Sequence, residues 1–343
     1  MIIERKSKAY LIANEYKKEL LETRVPVGNK VLSARKLAIK YNISNSTAHK
    51  VLTILAEKNI IEKKYKSSSS VKKDLCKRIT IGFTEVELSP FEEDIFRLKH
   101  FELANKKFKE HNLDVHHISY ATLQNKEKCE ELFSSLDGLL VKADYCDSKT
   151  LPQLQKFNKP IVVIDELLFV TELLSCQVTI NWLHALDALE DSISKYKKLL
   201  ILSADHLKAQ GKAKYLIDKF PNKEITVEIL RDKNAQLAAF KYFLKNNNIP
   251  KDTLVIALSG WYSQGLRDAY SDDEKLPAVI EFDNLEKYLP GGEQTSVFTA
   301  IDCMLEEIYN RSVNLLCEQI TNNDLSRHII EIPAKVIFRK TFN

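Results

Sequence analysis

Residues 30–61 read KVLSARKLAIKYNISNSTAHKVLTILAEKNII, and this stretch decides how the amino-terminal part of the chain folds. The first half places Leu37 and Ala38 on the buried face of a short helix. The second half carries apolar residues at helical spacing, which are Ala48, Val51, Leu52 and Leu55. Ser44 stands where a helix N-cap is expected, and the turn after it is unusually polar. Such a helix pair is typical of a helix-turn-helix whose second helix contacts base edges in the major groove.

The flanking residues extend this helix pair into a larger unit. Residues 4–23 predict a first helix, with an apolar stripe formed by Tyr10, Leu11, Ala13, Leu20 and Leu21. Residues 62–66 have strand character, Ser67 to Ser70 form a low-complexity tip, and Val71 lies on a return strand. Three helices and a basic hairpin predict a winged helix-turn-helix domain over residues 1–71, with residues 72–77 as a linker.

Charge is divided unevenly along the 343 residues. Residues 1–77 hold 18 Lys and Arg against 7 Asp and Glu, a net charge of +11, whereas the remainder holds 33 against 40, a net charge of −7. A strongly basic segment on an acidic body indicates a polyanionic partner for the basic segment alone. The alternative is a basic surface that is merely solvated.

From Arg78 onward, short apolar runs alternate with helical segments. The predicted strands are residues 79–83, 115–118, 138–141, 161–164, 199–202, 225–229, 254–258 and 279–282. The clearest predicted helices between them are residues 91–111, 182–196, 207–220 and 235–246. This alternation predicts parallel sheets covered on both faces, and the number of strands favours two Rossmann-like subdomains within residues 78–343.

Several classes of protein are not indicated. Residues 1–10 are charged and lack an apolar core, and no stretch approaches the roughly 18 apolar residues of a membrane helix, so we expect a cytoplasmic chain without a membrane partner. The six cysteines form no C-x-x-C pair, which fits a reducing compartment. No glycine-rich phosphate loop, metal-ligand spacing or nucleophile elbow is present, and we expect neither a cofactor nor an enzyme.

The amino-terminal segment resembles the GntR-type winged helix. Residues 31–38 (VLSARKLA) and 43–52 (ISNSTAHKVL) match the two halves of that family's helix-turn-helix pattern. Leu32 stands in place of the family's Pro, and Asn45 and His49 stand in place of two recognition-helix arginines. Because Asn pairs with adenine whereas Arg favours guanine, we expect an operator richer in A·T than that of a typical relative.

The remainder resembles the LacI/GalR sensor domain, a relative of the periplasmic sugar-binding proteins. The matching stretches are residues 136–140 (LDGLL), 159–165 (KPIVVID), 278–284 (AVIEFDN) and 334–341 (AKVIFRKT). Lys208 takes the place of the family's pocket Arg. The combination resembles arabinose-repressor-like regulators. It implies a periplasmic-binding-protein-like fold whose two lobes are joined by three crossing segments, which we expect near residues 179–182, 292–298 and 321–325.

Candidate DNA-binding residues follow from the helix-turn-helix. Phosphate and backbone contacts are expected from Arg35, Ser44, Ser46 and Thr47. Base contacts are expected from Asn45, His49 and Lys50, and salt-sensitive affinity from Lys66 with its neighbours Lys63 and Lys64. The alternative is that Ser44 only caps its helix and that His49 is only solvated.

Candidate effector-binding residues follow from the rule that ligands of open α/β sheets bind beyond the carboxyl ends of the strands. Together with Lys208, they are Ser89, Phe91, Asp165, Ser259, Trp261 and Asp283. Asp and Lys hydrogen-bond sugar hydroxyls, and a Trp face stacks on a pyranose. Trp261 is as readily explained as a core residue, and Asp165 as a loop cap.

These observations together predict a ligand-responsive transcription regulator, with a repressor as the favoured type. The resemblance implies a homodimer on a palindromic operator of double-stranded DNA, and a small-molecule effector, with a carbohydrate as the candidate, bound between the two lobes. An intracellular solute-binding receptor and an enzyme with a DNA-binding appendage are the alternatives.

Overall fold

The amino-terminal segment contains three helices and a strand pair. The structure is a computed structural model, and it describes residues 7–23, 25–58, 60–63, 69–72, 78–84, 95–166, 176–205, 207–231, 234–270 and 272–342. The first elements are α1 (Lys8–Glu22), α2 (Ala34–Lys40), α3 (Asn45–Glu57), β1 (Ile61–Glu62) and β2 (Ser70–Val71). The two strands pair antiparallel, with Ile61 opposite Val71. The predicted wing residues 64–68, including Lys66, and the linker residues 73–77 lie outside the described residues.

A separate apolar core holds this segment together. α1 buries Ala9, Ile12, Ala13, Tyr16 and Leu20 against α2, α3 and the strand pair. The predicted stripe was therefore wrong at Leu11, which is 56% exposed. The hydroxyl of Tyr16 on α1 accepts a hydrogen bond from the backbone N–H of Leu32 at 2.8 Å. This bond ties the buried face of α1 to the segment that leads into α2.

Side-chain caps define the two helices of the helix-turn-helix. The Ser33 side chain accepts a hydrogen bond from Lys36 N, and the Ser44 side chain accepts one from Thr47 N at 3.1 Å. The predicted N-cap role of Ser44 is confirmed. Asn42, with φ of 47°, occupies the left-handed region in the turn between the helices, a conformation that Asn tolerates better than most residues.

The first α/β lobe is built on a six-stranded sheet. Its elements before the first crossing are β3 (Thr80–Thr84), α4 (Ile95–Glu110), β4 (Asp114–Ile118), α5 (Tyr120–Gln124), α6 (Lys126–Ser135), β5 (Gly138–Lys142), α7 (Leu151–Leu154), β6 (Ile161–Glu166) and β7 (Cys176–Asn181). A strand from the end of the chain completes the sheet beside β7, and all of its pairings are parallel.

The second lobe repeats this architecture. Its elements are α8 (Leu183–Ser194), β8 (Lys198–Ser203), α9 (Leu207–Lys219), β9 (Glu224–Ile229), α10 (Ala235–Lys245), β10 (Thr253–Ala257), α11 (Gly260–Tyr270), β11 (Ala278–Phe282) and β12 (Thr299–Asp302). The chain then forms α12 (Leu305–Asn322), β13 (Ile329–Pro333) and β14 (Lys335–Ile337). β13 joins the first sheet, and β14 joins the second as its one antiparallel strand in the described chain.

The chain passes between the sheets at three places, and two predicted crossings were wrong. The first lies after Asn181, as expected. The second lies at Cys303 and Met304, because β12 still pairs with β11 whereas α12 packs on β5, β6 and β7 of the first lobe. The third lies between Pro333 and Lys335, since β13 and β14 belong to different sheets. Residues 321–325 only reverse the chain after α12.

The inner strands of both sheets are buried on both faces, as in most parallel sheets, whereas the edge strands β4, β9, β13 and β14 are partly exposed. One apolar cluster runs from the first lobe to the second and includes Trp182 and Phe282. The eight predicted strands are all present, whereas β7, β12, β13 and β14 were missed. The buried stretch of β7 includes the polar Gln177 and Thr179. No helix among the described residues has the length and apolarity that a membrane crossing requires.

Gly265 marks the closest approach of α10 and α11. A Cβ atom on Gly265 would lie 2.1 Å from the carbonyl oxygen of Gln236 and 2.8 Å from Ala239 Cβ. Since neither neighbour is a flexible side-chain end, Gly265→Ala should force the helices apart and lower the free energy of unfolding by about 1–3 kcal/mol. Urea denaturation measures this loss. Lys214→Ala, at an exposed position of α9, is the control, and equal stability of the two variants would contradict this packing.

Candidate functional site

The amino-terminal end of α3 presents an exposed polar surface. Asn45, Ser46, His49 and Lys50 are all exposed there, and Arg35 is exposed on α2. These are residues that the sequence assigns to DNA, and the structure leaves their side chains exposed. The arrangement is compatible with contacts to base edges from α3 and to phosphates from α2.

Two of the predicted contacts are committed to the helix itself. The hydroxyl oxygens of Ser44 and Thr47 lie 2.8 Å apart, and the Ser44 oxygen also caps the helix. Their positions are therefore fixed by local structure. Of the predicted wing lysines, Lys63 is described, and its ammonium donates to Thr53 Oγ1 at 2.7 Å, which places this positive charge against the side of α3.

The carboxyl ends of the two sheets face each other between the lobes. Trp182 directly follows β7 of the first lobe, and Phe282 ends β11 of the second. Their ring centroids lie 5.9 Å apart, and Tyr215 of α9 lies 5.2 Å from Trp182 on its other side. Trp182 is only 1% exposed. These three aromatic side chains therefore pack together at the carboxyl ends of β7 and β11, which is the edge where ligands of open α/β sheets bind.

Three predicted effector residues are found at this edge of the second lobe. Ser259 lies in the turn between β10 and α11, Trp261 lies in the first turn of α11, and both are half-buried. Ser259 Oγ accepts a weak hydrogen bond from Trp261 N at 3.4 Å. The partial exposure of Trp261 leaves part of its side chain accessible, in contrast to the fully buried Trp182.

Asp283 follows β11 and has an unusual backbone. Its φ is 83°, in the left-handed region, and its N–H donates to Ile301 O at 3.1 Å. The thiol of Cys303, at the second crossing, donates to Asp283 Oδ1 at 3.3 Å. The carboxylate is thus held beside the second crossing and is half-buried.

The remaining predicted effector residues are only partly described. Asp165 lies on β6 opposite Thr179 of β7, and Lys208 lies in the first turn of α9, but their side chains fall outside the described part of the chain. Ser89 and Phe91 lie in residues 85–94, which are also outside it. The backbone position of Asp165 is at the carboxyl end of β6, as the sequence predicts, whereas that of Lys208 is on the helix that follows β8.

Lys212 is a residue that the sequence analysis missed. It is 5% exposed, and its ammonium lies 4.6 Å from the centroid of the Phe282 ring. Its helical spacing from Ala209, Ala213 and Leu216 puts it on the buried face of α9. That face is apolar in sequence apart from this lysine. A cation in an otherwise apolar helical stripe was the available signal.

Glu281 is a buried carboxyl group behind the turn of Ser259 and Trp261. Its Oε2 contacts the hydroxyl of Ser263, and that hydroxyl also donates to Gly260 O at 2.7 Å. A hydroxyl has one proton and a carbonyl only accepts, so a protonated Glu281 that donates to Ser263 would satisfy both contacts. Burial raises the pKa of Glu281 well above its usual value, in agreement with this assignment.

Comparisons with known proteins bear on the fold. No protein-family model matches the chain, and no curated protein matches its sequence. The structure is similar to a LacI family transcriptional regulator from Arthrobacter sp. FB24 in complex with lactose, with 14% identity, coverage of 78% of this chain and 100% of that chain, and a TM-score of 0.57. It is also similar to a LacI family regulator from Enterococcus faecalis V583 with bound ribose, with 15% identity, coverage of 77% and 98%, and a TM-score of 0.57.

The two lobes have a periplasmic-binding-protein-like fold. A third similar structure is a periplasmic binding protein/LacI transcriptional regulator from Alkaliphilus metalliredigens QYMF complexed with D-xylulofuranose, with 16% identity, coverage of 77% of this chain and 99% of that chain, and a TM-score of 0.55. Within the described residues, no group of His, Cys, Asp and Glu side chains is placed to hold a metal ion.

The protonated Glu281 makes stability depend on pH. The folded chain keeps a proton that the unfolded chain releases above pH ~4.3, so this contribution to stability is complete below that pH and is lost as the pH rises towards the folded-state pKa. Glu281→Gln, whose amide replaces the protonated acid, should raise the free energy of unfolding at pH 8 by about 1–3 kcal/mol and change it little at pH 4. Chemical denaturation at both pH values measures this difference.

Glu286 provides the matched control. It is equally buried, but its carboxylate accepts from the backbone N–H groups of Val297 and Phe298 and from the guanidinium of Arg267. Glu286→Gln would turn an amide donor towards other donors, and it should destabilise the chain at pH 8. If Glu281→Gln also destabilised the chain at pH 8, the protonation of Glu281 would be wrong.

Proposed function

We propose that the chain is a ligand-responsive transcription regulator, and that it acts as a repressor. Residues 1–71 would be a GntR-type winged helix-turn-helix that binds DNA, and residues 78–343 would bind the effector between the lobes. The observation that carries this proposal is the exposed, capped amino-terminal end of α3 in a segment of net charge +11, joined to a periplasmic-binding-protein-like fold.

Charge supports DNA as the partner. The acidic remainder of the chain, of net charge −7, is unsuited to a polyanion, so favourable electrostatic attraction is confined to the amino-terminal segment. Lys50 and Arg35 are exposed on adjacent helices, within reach of a phosphate backbone when α3 enters the groove. A homodimer would place two such helices on the half-sites of a palindromic operator.

A carbohydrate is the proposed class of effector. The similar structures contain lactose, ribose and D-xylulofuranose, and the same edge of this fold carries Asp283, Ser259 and the half-buried Trp261. A carboxylate and a hydroxyl bind sugar hydroxyl groups, and an indole face stacks on a sugar ring. We propose no enzymatic activity. An effector would change DNA affinity only through its different affinities for the two lobe arrangements.

The DNA-binding surface is tested by Lys50→Ala. Loss of one positively charged contact to the DNA should weaken binding of the full chain to its upstream operator fragment several-fold and should reduce the slope of log affinity against log salt by about 1. Fluorescence anisotropy across a series of salt concentrations measures both quantities. Lys214→Ala, an exposed lysine of the second lobe, is the control. Equal affinity of the Lys50 variant and the control would contradict this surface.

The effector site is tested by Asp283→Asn. Asn tolerates the left-handed backbone at this position, whereas Asp283→Ala would add strain, so the Asn variant isolates the loss of the carboxylate charge. We expect affinity for a bound sugar to fall by about 10-fold or more, since hydrogen bonds to charged groups contribute about 1.5–3 kcal/mol. Calorimetric titration with lactose and D-ribose measures this effect.

The control for this titration is Glu318→Gln, at an exposed position of α12. Unchanged sugar affinity in the Asp283 variant would remove Asp283 from the site. Absence of binding by the unmodified chain to either sugar, together with retained DNA binding, would remove the proposed carbohydrate class while leaving the regulator in place.

A further inference from the structure

Two short segments with left-handed backbone meet at the second crossing between the lobes. Asp283 and Asn284 follow β11, with φ of 83° and 52°, and Met304 follows β12 at the second crossing, with φ of 49°. Non-glycine residues adopt this conformation at a cost, and they keep it where surrounding contacts hold them. The contacts that hold these segments are therefore informative about what the region does.

Asn284 is at the centre of those contacts. Its side chain is fully buried, its amide nitrogen donates to Asp302 Oδ2 at 2.8 Å, and its amide oxygen accepts from Arg339 Nη2 at 2.8 Å. The position uses one donor and one acceptor on the same short side chain, and the amide of Asn supplies them from two separate atoms.

Asp302 carries the connection to the second crossing. Its Oδ1 accepts from the backbone N–H of Met304 at 2.7 Å, so one carboxylate contacts both Asn284 and the residue at which the chain leaves the second lobe. α12 begins at the next residue, Leu305, and packs on the first lobe. The direction in which α12 enters that lobe is thus fixed through Asp302.

Arg339 carries the connection to the third crossing. It lies four residues beyond Lys335, at which the chain re-enters the second sheet. Its guanidinium donates to Phe298 O at 2.9 Å, to Glu293 Oε2 at 2.8 Å and to Asn284. Asn284, Asp302 and Arg339 form one hydrogen-bonded set, here called the clip.

We infer that Asn284 is a positioning residue that couples the Asp283 carboxylate to two of the three interlobe crossings through the clip. The coupling to an effector rests on the proposed function, whereas the mechanical role of the clip does not. A displacement of Asp283 by a ligand would also displace the adjacent Asn284. Asn284 is hydrogen-bonded to Asp302, which contacts Met304 at the second crossing, and to Arg339, which follows the third crossing. The clip therefore sets the relative orientation of the lobes.

Amide hydrogen exchange of the full chain, without any ligand, tests the clip. Asn284→Ala should speed exchange at residues 302–306 and 333–337 by at least 10-fold, while residues 199–203 of β8 stay within twofold of the unmodified chain. Asn284→Asp should have the same effect, because it places a second carboxylate against Asp302. Equal acceleration across the whole second lobe would mean that Asn284 is only a structural residue.

A side-chain swap gives the rescue. In the double variant Asn284→Asp/Asp302→Asn, the new amide at position 302 still accepts from Met304 N and donates to the new carboxylate, which also faces Arg339. Exchange at both crossings should return to within about twofold of the unmodified chain, even if Asn284→Ala fails to fold. Failure of this double variant to restore slow exchange would overturn the inference.

Arg339→Gln separates the two connections. It should speed exchange at residues 333–337 and leave the Met304 amide slow, because the bond between Asn284 and Asp302 remains. Equal acceleration at Met304 would contradict the proposed division of the clip. If the unmodified chain binds no DNA, the proposed function fails, but these exchange measurements still decide whether the clip positions the crossings.

Discussion

The carboxyl ends of the two parallel sheets face each other because the chain passes between the sheets three times. Trp182 at the first crossing and Phe282 at the end of β11 belong to one apolar cluster. The aromatic contact beside the proposed effector site is therefore part of the core that joins the lobes. Burial of this surface fixes where the strands end. Every residue with a proposed effector role depends on that placement, because Ser259, Trp261 and Asp283 all follow strands of the second sheet.

Polar groups at this edge divide into those that shape the site and those available to a ligand. Glu281 and Glu286 are buried behind the turns, one protonated and the other bonded to three donors. Asn284 and Asp302 hold the backbone beside the second crossing. Asp283, half-buried beside them, combines exposure with a rigid support. In the proposed function, such a site would couple ligand contact to lobe orientation without requiring any element to unfold.

Sequence patterns predicted the strands that are continuously apolar, and the cap at Ser44, because burial and helix capping leave local signals. They missed β12, β13, β14 and also β7, whose buried Gln177 and Thr179 resemble loop residues. They placed two crossings wrongly, because a crossing depends on which strands pair and not on local composition. Lys212 and the clip were also missed. Their partners are distant in the chain, as with Asn284 and Arg339, and a single sequence carries no record of such contacts.

The decisive measurement is the affinity of the full-length chain for its own upstream DNA as a function of salt, with and without lactose or D-ribose. A basic amino-terminal segment that binds duplex grooves predicts an affinity that falls steeply with added salt and changes in the presence of a bound sugar. An affinity for duplex DNA that is absent at every salt concentration, with or without either sugar, would contradict the proposal that this chain is a ligand-responsive regulator.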